Sequence, residues 1–171
     1  SLALGAAIVA TAACSDDNKG GTGPNPVGEA VLSADITANR TLYADTVYTL
    51  SGYVKVQSGV TLTIQPGTTI VGDTLTAGSS LWILRGAQIN ANGTAADPIV
   101  FTSGKPAGSR APGDWGGIIV IGNGIINRTG TINTEGPAAE AEVYSGGNNN
   151  ADNSGTMRYV RIEFAGYDVS G

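Results

Sequence analysis

The chain has 171 residues, of which 41% are apolar and 13% are charged, and its net charge is −5. One folded domain is the default at this length, and the acidic balance argues against nucleic acid, whose binding needs a basic stripe. The sequence has no histidine and a single cysteine, Cys14, which excludes a Ser-His-Asp triad, a His-ligated zinc site and an intrachain disulfide from this stretch.

Residues 1–13 predict a signal peptide that is truncated upstream. The segment carries no charge and is rich in apolar and small residues, but it is too short to span a bilayer and lacks an initial Met and a basic stretch. Thr11-Ala-Ala-Cys14 resembles a bacterial lipobox, with Thr where Leu is usual, and it predicts that Cys14 is lipidated. The alternative is an ordinary signal peptide cleaved nearby, with Cys14 incidental.

Residues 14–28 predict a flexible tether after the lipidated cysteine. Gly, Pro, Asn, Asp and Lys dominate this segment, and they cannot bury enough apolar surface to fold. Its first residues, Ser15-Asp-Asp-Asn18, resemble those of surface lipoproteins of the Bacteroidota. That resemblance implies a location in the cell envelope, at the outer membrane or the cell surface, with the membrane as partner through the lipid anchor. A frayed terminus with no role is the alternative.

Residues 29–171 predict an all-β domain. Apolar residues alternate with polar ones, so that Leu50, Val54 and Val56 share one parity while Tyr53 and Lys55 face the other way. Glycine-rich turn signals separate strands of three to seven residues, and no helical periodicity is present after residue 28. The domain is therefore built from short strands joined at corners.

A sequence motif that occurs twice favours a β-helix among all-β folds. The nine residues from Leu62 to Ile70 return 19 positions later from Leu81 to Ile89, and a partial third copy runs from Ile119 to Gly124. A fixed period of alternating apolar residues around a glycine is typical of a stacked β-solenoid. We therefore predict a parallel β-helix in which Ile64 and Ile83 stack in neighbouring coils. A β-sandwich or jelly roll is the alternative.

Three segments carry a resemblance to a family. They run from Gly113 to Val120, from Ser145 to Gly155 and from Met157 to Gly166, and they resemble bacterial secreted right-handed parallel β-helix lipoproteins of unsettled activity. The resemblance implies a right-handed parallel β-helix at the cell envelope and nothing about chemistry. Members of the family are longer, so we expect the domain to be truncated at its C-terminus.

Two tryptophans are candidates for binding or packing. Trp82 lies between Leu81 and Ile83, so its indole points outward if those two point inward. An exposed Trp on a flat sheet would suit a sugar ring or a partner surface, and a loop folded over it is the alternative that we favour. Trp115, among glycines, is expected to fill a corner.

A second candidate site follows from the parity of the last strand. Val160, Ile162 and Phe164 point inward, so Tyr159, Arg161 and Glu163 point outward and could face a ligand. A β-helical polysaccharide lyase needs a cation for the uronate and a base for its C5 proton. A surface ion pair between Arg161 and Glu163 is the interpretation that we favour.

Residues 129–156 form a long polar insertion. Carboxylate and amide oxygens suit calcium, although the spacing fits no EF-hand and a polar lid loop is favoured; no other cofactor is expected. The oxygen-bearing residues are Glu135, Glu140, Glu142, Asn148, Asn149, Asn150, Asp152 and Asn153.

The sequence predicts a surface-anchored lipoprotein that acts as a binding, adhesion or structural module, directed at a glycan or a neighbouring surface protein. We identify no catalytic residue. The alternative is part of a carbohydrate-active enzyme, such as a polysaccharide lyase or hydrolase, whose site lies on coils outside this sequence.

Overall fold

A computed structural model describes residues 28–168, so Cys14, the predicted signal peptide and nearly all of the predicted tether lie outside the described residues. The described part is all β, and no helix in it is long and apolar enough to cross a bilayer. Its twelve strands are β1 (Gly28–Leu32), β2 (Arg40–Leu42), β3 (Thr46–Leu50), β4 (Tyr53–Val56), β5 (Thr61–Ile64), β6 (Thr69–Gly72), β7 (Ser80–Ile83), β8 (Gln88–Asn92), β9 (Ile99–Ser103), β10 (Gly117–Val120), β11 (Gly155–Arg158) and β12 (Val160–Ile162).

The strands form three parallel sheets, and the chain visits the sheets in turn. Sheet A has the order β1-β3-β6-β9-β12, sheet B the order β10-β7-β4, and sheet C the order β11-β8-β5-β2. Each circuit takes one strand in each sheet and stacks on the circuit before it, except that Ile36, bridged to Val56, takes the place of a strand in the first circuit. This is a right-handed parallel β-helix, as predicted, and the parallel pairing excludes the sandwich.

The predicted 19-residue period is wrong. Leu62 pairs with Ile89, 27 positions on, and Ile83 pairs with Val56 and Val120 instead of stacking on Ile64. The two copies of the motif lie at different corners: the first leads from sheet C to sheet A, and the second leads from sheet B to sheet C. They look alike because each joins two strands through a glycine with positive φ, and each is therefore a local solution to the same turn.

The third copy is displaced by one residue from its predicted alignment. Ile118 faces Leu81, whereas Ile119 faces Trp82 and so lies on the outer side of sheet B. Connections between strands vary in length from coil to coil, because only the strands must keep their register. The coils therefore share a parity but no common period.

The core consists of inward side chains stacked in columns along the helix axis. Sheet A contributes Tyr48, Ile70 and Phe101 in successive coils, and sheet C contributes Leu42 and Ile64. The predicted parity of β3 to β5 is confirmed, because the inward aliphatic residues are almost fully buried. They are Leu50, Val54, Val56, Leu62 and Ile64.

Trp115 fills the core beside a gap left by a glycine, and this confirms its predicted structural role. It is 1% exposed, and its ring stacks on Phe101 with centroids 6.4 Å apart. A Cβ at Gly72 would lie only 2.4 Å from Trp115 Cβ, so the indole fits because that position has no side chain. The indole Nε1 donates to the carbonyl oxygen of Glu163 at 2.7 Å.

The last strand of each sheet lies at an edge and leaves inward side chains uncovered by any described residue. Val160 and Ile162 continue the inward columns of Ile99 and Phe101, as their parity predicts. Ile162 is nevertheless 49% exposed, because β12 is the edge strand of sheet A. Phe164 lies beyond β12 in the left-handed region, with φ +58°, so the strand parity does not extend to it.

Candidate functional site: an aromatic cleft beneath the insertion

The long insertion lies between β10 and β11 and folds back over the outer side of sheet B. Within residues 121–154 the chain makes a short antiparallel turn, in which Asn133 bridges Val143. The amide of Thr134 donates to the carbonyl of Glu142 at 2.9 Å, and the amide of Tyr144 donates to that of Ile132 at 3.0 Å. These bonds give a loop with no helix or sheet of its own a defined shape.

Lys55 fastens the insertion to the outer side of β4. Its ammonium lies 2.8 Å from Glu142 Oε1 and 3.2 Å from Glu140 Oε2. Burial alone would lower the pKa of Lys55, but the ion pairs with Glu142 and Glu140 outweigh it and hold that pKa above its ordinary value. The cation is therefore committed to the loop and stays charged.

Arg85 fastens the insertion at a second point, just after β7. Its guanidinium donates to the carbonyl of Ser145 at 2.8 Å and to that of Tyr144 at 3.1 Å, and its Nε donates to Gly122 at 3.3 Å. One side chain thus satisfies three backbone carbonyls of the loop. The two basic residues thus hold neighbouring positions in the returning half of the loop, and Arg85 also holds its beginning at Gly122.

Trp82 points outward from sheet B, as its parity predicts, but the insertion covers it. The residue is 4% exposed, and the Lys55 ammonium lies 5.8 Å from its ring centroid. Its Nε1 donates to Ser80 Oγ at 2.7 Å, and the Tyr53 ring packs against it with centroids 6.1 Å apart at 59°. Trp82 is therefore not an open platform for a ligand. The favoured prediction, that a loop folds over it, is the one that the structure shows.

A cavity of about 190 Å³ opens beside this aromatic pair. We call it the aromatic cleft; its lining includes Tyr53, Trp82, Ile119, Thr134, Glu135 and Tyr167. The space exists because the outward position of Tyr53 is followed in the next two coils by Ser80 and Gly117, which are small. Gly78 makes further room, since a Cβ there would lie 2.4 Å from the Tyr53 hydroxyl.

A larger recess of about 390 Å³ lies at the free edge of β10, but its lining suits packing better than recognition. Aliphatic side chains dominate it, among them Val120, Ile121 and Ile125, and no charged side chain contributes. The aromatic cleft is smaller but combines three aromatic residues with a carboxylate, so it is the better candidate for a selective site.

Tyr159, Arg161 and Glu163 lie on sheet A and its edge, away from the strands that carry Trp82. Arg161 donates from Nε to Glu163 Oε1 at 2.9 Å, and a second guanidinium nitrogen bonds the same oxygen. Thr102 donates to the other oxygen at 3.1 Å. The hydrogen bonds from Arg161, against a smaller opposing effect of burial, lower the pKa of Glu163. The structure thus does not bring Trp82 together with these three residues.

A second carboxylate, Asp114, organises the corner before β10. It accepts from Lys105 Nζ at 2.5 Å, from Ser103 Oγ at 2.6 Å and from the amide of Ala111 at 2.9 Å. These bonds, the one from Lys105 foremost, lower the pKa of Asp114 to about 2. Each oxygen is already satisfied, so this cluster holds a turn in place.

Among residues 28–168, no three acidic side chains converge on one point, so the carboxylates of the insertion do not form a cluster. Most of its oxygen-bearing residues serve the loop itself: Asp152 accepts from the amide of Asn123 at 2.8 Å, and Asn150 accepts from that of Ile125 at 2.9 Å. Asn148, Asn149 and Asn153 act likewise, and Glu140 and Glu142 bind Lys55. Glu135 alone lines the aromatic cleft.

Sequence reasoning missed the cleft, although two of its residues carried a signal. The alternation along each strand predicts that Tyr53 and Trp82 both point outward. Their adjacency, however, follows from the 27-residue offset between β4 and β7 and not from the repeated motif. Tyr167 and Glu135 reach the cleft from distant parts of the chain, and no local pattern marks them.

Comparison with known proteins gives one match. The model of a family described as pectate-lyase-like β-helix domains matches residues 34–171, which is most of the chain. No curated protein and no solved structure matches the chain.

Proposed function

The chain belongs to the family of pectate-lyase-like β-helix domains, and from that premise we propose that it is a glycan-binding module of the cell surface. The observation that carries the proposal is the aromatic cleft. Tyr53, Trp82 and Tyr167 supply aromatic surface, and Thr134 and Glu135 supply polar atoms beside it. Aromatic faces next to a few hydrogen-bonding groups are what a sugar ring requires.

The dimensions of the cleft suit a single sugar ring. At about 190 Å³ it is smaller than the roughly 300–1,000 Å³ of pockets that enclose drug-sized ligands. One ring, at the end or on a branch of a longer glycan, would occupy it while the remainder stayed in solvent. A neighbouring surface protein that carries such a glycan is an equivalent partner.

We propose that Cys14 anchors this module to the outer membrane or cell surface. The support is the apolar segment ending in Ala12-Ala13-Cys14 and the polar tether after it. The several acyl chains of a lipoprotein would hold the protein firmly, whereas one chain gives only marginal binding. In a bacterial host the protein is expected to partition into detergent and the Cys14→Ser variant is not; equal solubility of the two would remove the anchor from the proposal.

A second candidate is a carbohydrate-active enzyme, and the pairing of Arg161 with Glu163 is the observation that favours it. In this geometry, however, the lowered pKa of Glu163 makes its carboxylate a weak base. Cleavage of any polysaccharide that is lost in Glu163→Gln would favour the enzyme over the binding module.

The binding proposal is tested by presenting the full chain to a glycan array and titrating the best ligands by calorimetry. Tyr167→Ala removes one wall of the cleft at a position that is 39% exposed, so the fold should survive. Affinity is expected to fall by about fivefold to tenfold. The matched control is Tyr43→Ala, at a half-exposed position in the first coil, which should leave affinity unchanged. Absence of glycan binding, or equal losses in both variants, would overturn the proposal.

A further inference from the structure

The charges around the aromatic cleft are unbalanced in a way that selects among sugars. Lys55 carries one positive charge near Trp82. Glu140 and Glu142 carry two negative charges, and both form ion pairs with Lys55. Glu135, in the wall of the cleft, adds a third negative charge. These four residues together, three carboxylates and one ammonium, carry a net charge of −2.

Glu135 differs from the other two carboxylates in its bonding within the described part of the chain. Glu142 and Glu140 are bonded to Lys55, whereas no group among residues 28–168 donates a hydrogen bond to the Glu135 side chain or forms an ion pair with it. Glu135 is exposed to solvent and is one of the residues that line the cavity. It is therefore free to accept from a ligand.

The ammonium of Lys55, which lies beside Trp82, is not available to an anionic ligand. Lys55 is 9% exposed and is held between two carboxylates above the Trp82 ring. No Lys or Arg is among the described residues that line the cleft. A uronate there would lie near Glu135, and like charges at short range disfavour such a complex. The cleft thus has the opposite electrostatics from a site built for acidic sugars.

Aromatic faces combined with a free carboxylate suit an ammonium group. A cation near the rings of Tyr53 or Tyr167 is attracted by their ring quadrupoles, and a charge-assisted hydrogen bond to Glu135 is among the stronger polar contacts. Resting on the proposed glycan-binding function, we infer that the cleft selects an amino sugar whose ammonium group is free and that Glu135 determines this specificity.

The test compares three oligosaccharides of equal length by calorimetry with the full chain: glucosamine oligomers, their N-acetylated counterparts and oligogalacturonate. Glucosamine oligomers are expected to bind roughly tenfold more tightly than the N-acetylated form, and oligogalacturonate is expected to bind most weakly. The preference should shrink as salt is raised, because the cleft is open to solvent.

Glu135→Gln separates specificity from binding. This variant should bring the two glucosamine-derived ligands to nearly equal affinity while binding of the N-acetylated form persists. Glu29→Gln, an exposed position on β1 with the same change of charge, should preserve the tenfold preference.

The outcomes distinguish this inference from the proposed function. If glycans bind but Glu135→Gln keeps the preference, or if oligogalacturonate binds best, the inference fails and the binding module stands. If no sugar binds, both fail.

Discussion

Replacing Ile64 by Ala tests the assignment of inward and outward positions on which the fold rests. Ile64 is 2% exposed and is stacked between Leu42 in the preceding coil and Ala91 in the following one. Removing three carbon atoms forfeits about 0.8 kcal/mol each, or about 2.5 kcal/mol of transfer free energy. Ala91 is too small to fill the space, so a cavity term should raise the loss to about 3–4 kcal/mol, within the roughly 2–5 kcal/mol seen for such truncations.

The matched control is Thr63→Ala, one position away on the outer side of the same strand. Thr63 is half-buried, so its truncation should cost under about 1 kcal/mol. Urea unfolding of both variants decides the matter through the midpoint, provided that the slope is unchanged, since a solenoid can unfold in parts. Equal losses would refute the inward position of Ile64 and with it the column that joins three coils.

Three further outcomes are expected. Gly72→Ala should cost about 1–3 kcal/mol because its Cβ would lie 2.4 Å from Trp115 Cβ, whereas Gly28→Ala, with its nearest atom at 3.4 Å, should change the urea midpoint little. Trp115→Phe should cost about 1–3 kcal/mol by the same measurement, because the carbonyl of Glu163 loses its donor. The pKa of Asp114 is lowered from 3.8 to about 2, so its contribution to stability is complete above pH 4 and is lost as pH falls towards 2. Asp114→Asn should therefore flatten the fall of the urea midpoint between pH 4 and pH 2. An unchanged pH profile would contradict the role given to the hydrogen bonds of Asp114.

The sequence was sufficient for the parity of β3 to β5 and for the corners at Gly67 and Gly86. Alternation places Val54 inward and Lys55 outward whatever the coil length, because side chains alternate along any strand. The stacking of the coils could not be predicted, because the offset between paired strands differs from coil to coil. It is 22 residues from Val47 to Thr69 but 31 from Thr69 to Val100. A period read at one pair of corners could not give the others.

The cover over Trp82 could not be predicted from the sequence for a different physical reason. Lys55 and Glu142 are 87 residues apart, and nothing near either residue marks the other as its partner. Parity could show only that Trp82 faces outward. Whether an outward aromatic residue meets solvent depends on a loop whose path is fixed by distant ion pairs. The sequence alone therefore left both an exposed and a covered Trp82 open.

The same separation between inner and outer positions explains why a site can arise on this fold at little cost to its core. The insertion enters between β10 and β11, where lengthening a connection costs only loop-closure entropy, which grows slowly with length. Tyr53 and Trp82 occupy outward positions, while Val54 and Leu81 beside them in sequence form the buried column of sheet B. Substitutions that reshape the cleft from its outer side therefore need not disturb that column. The specificity given to Glu135 is accordingly expected to change independently of stability, since this residue belongs to the insertion and is exposed.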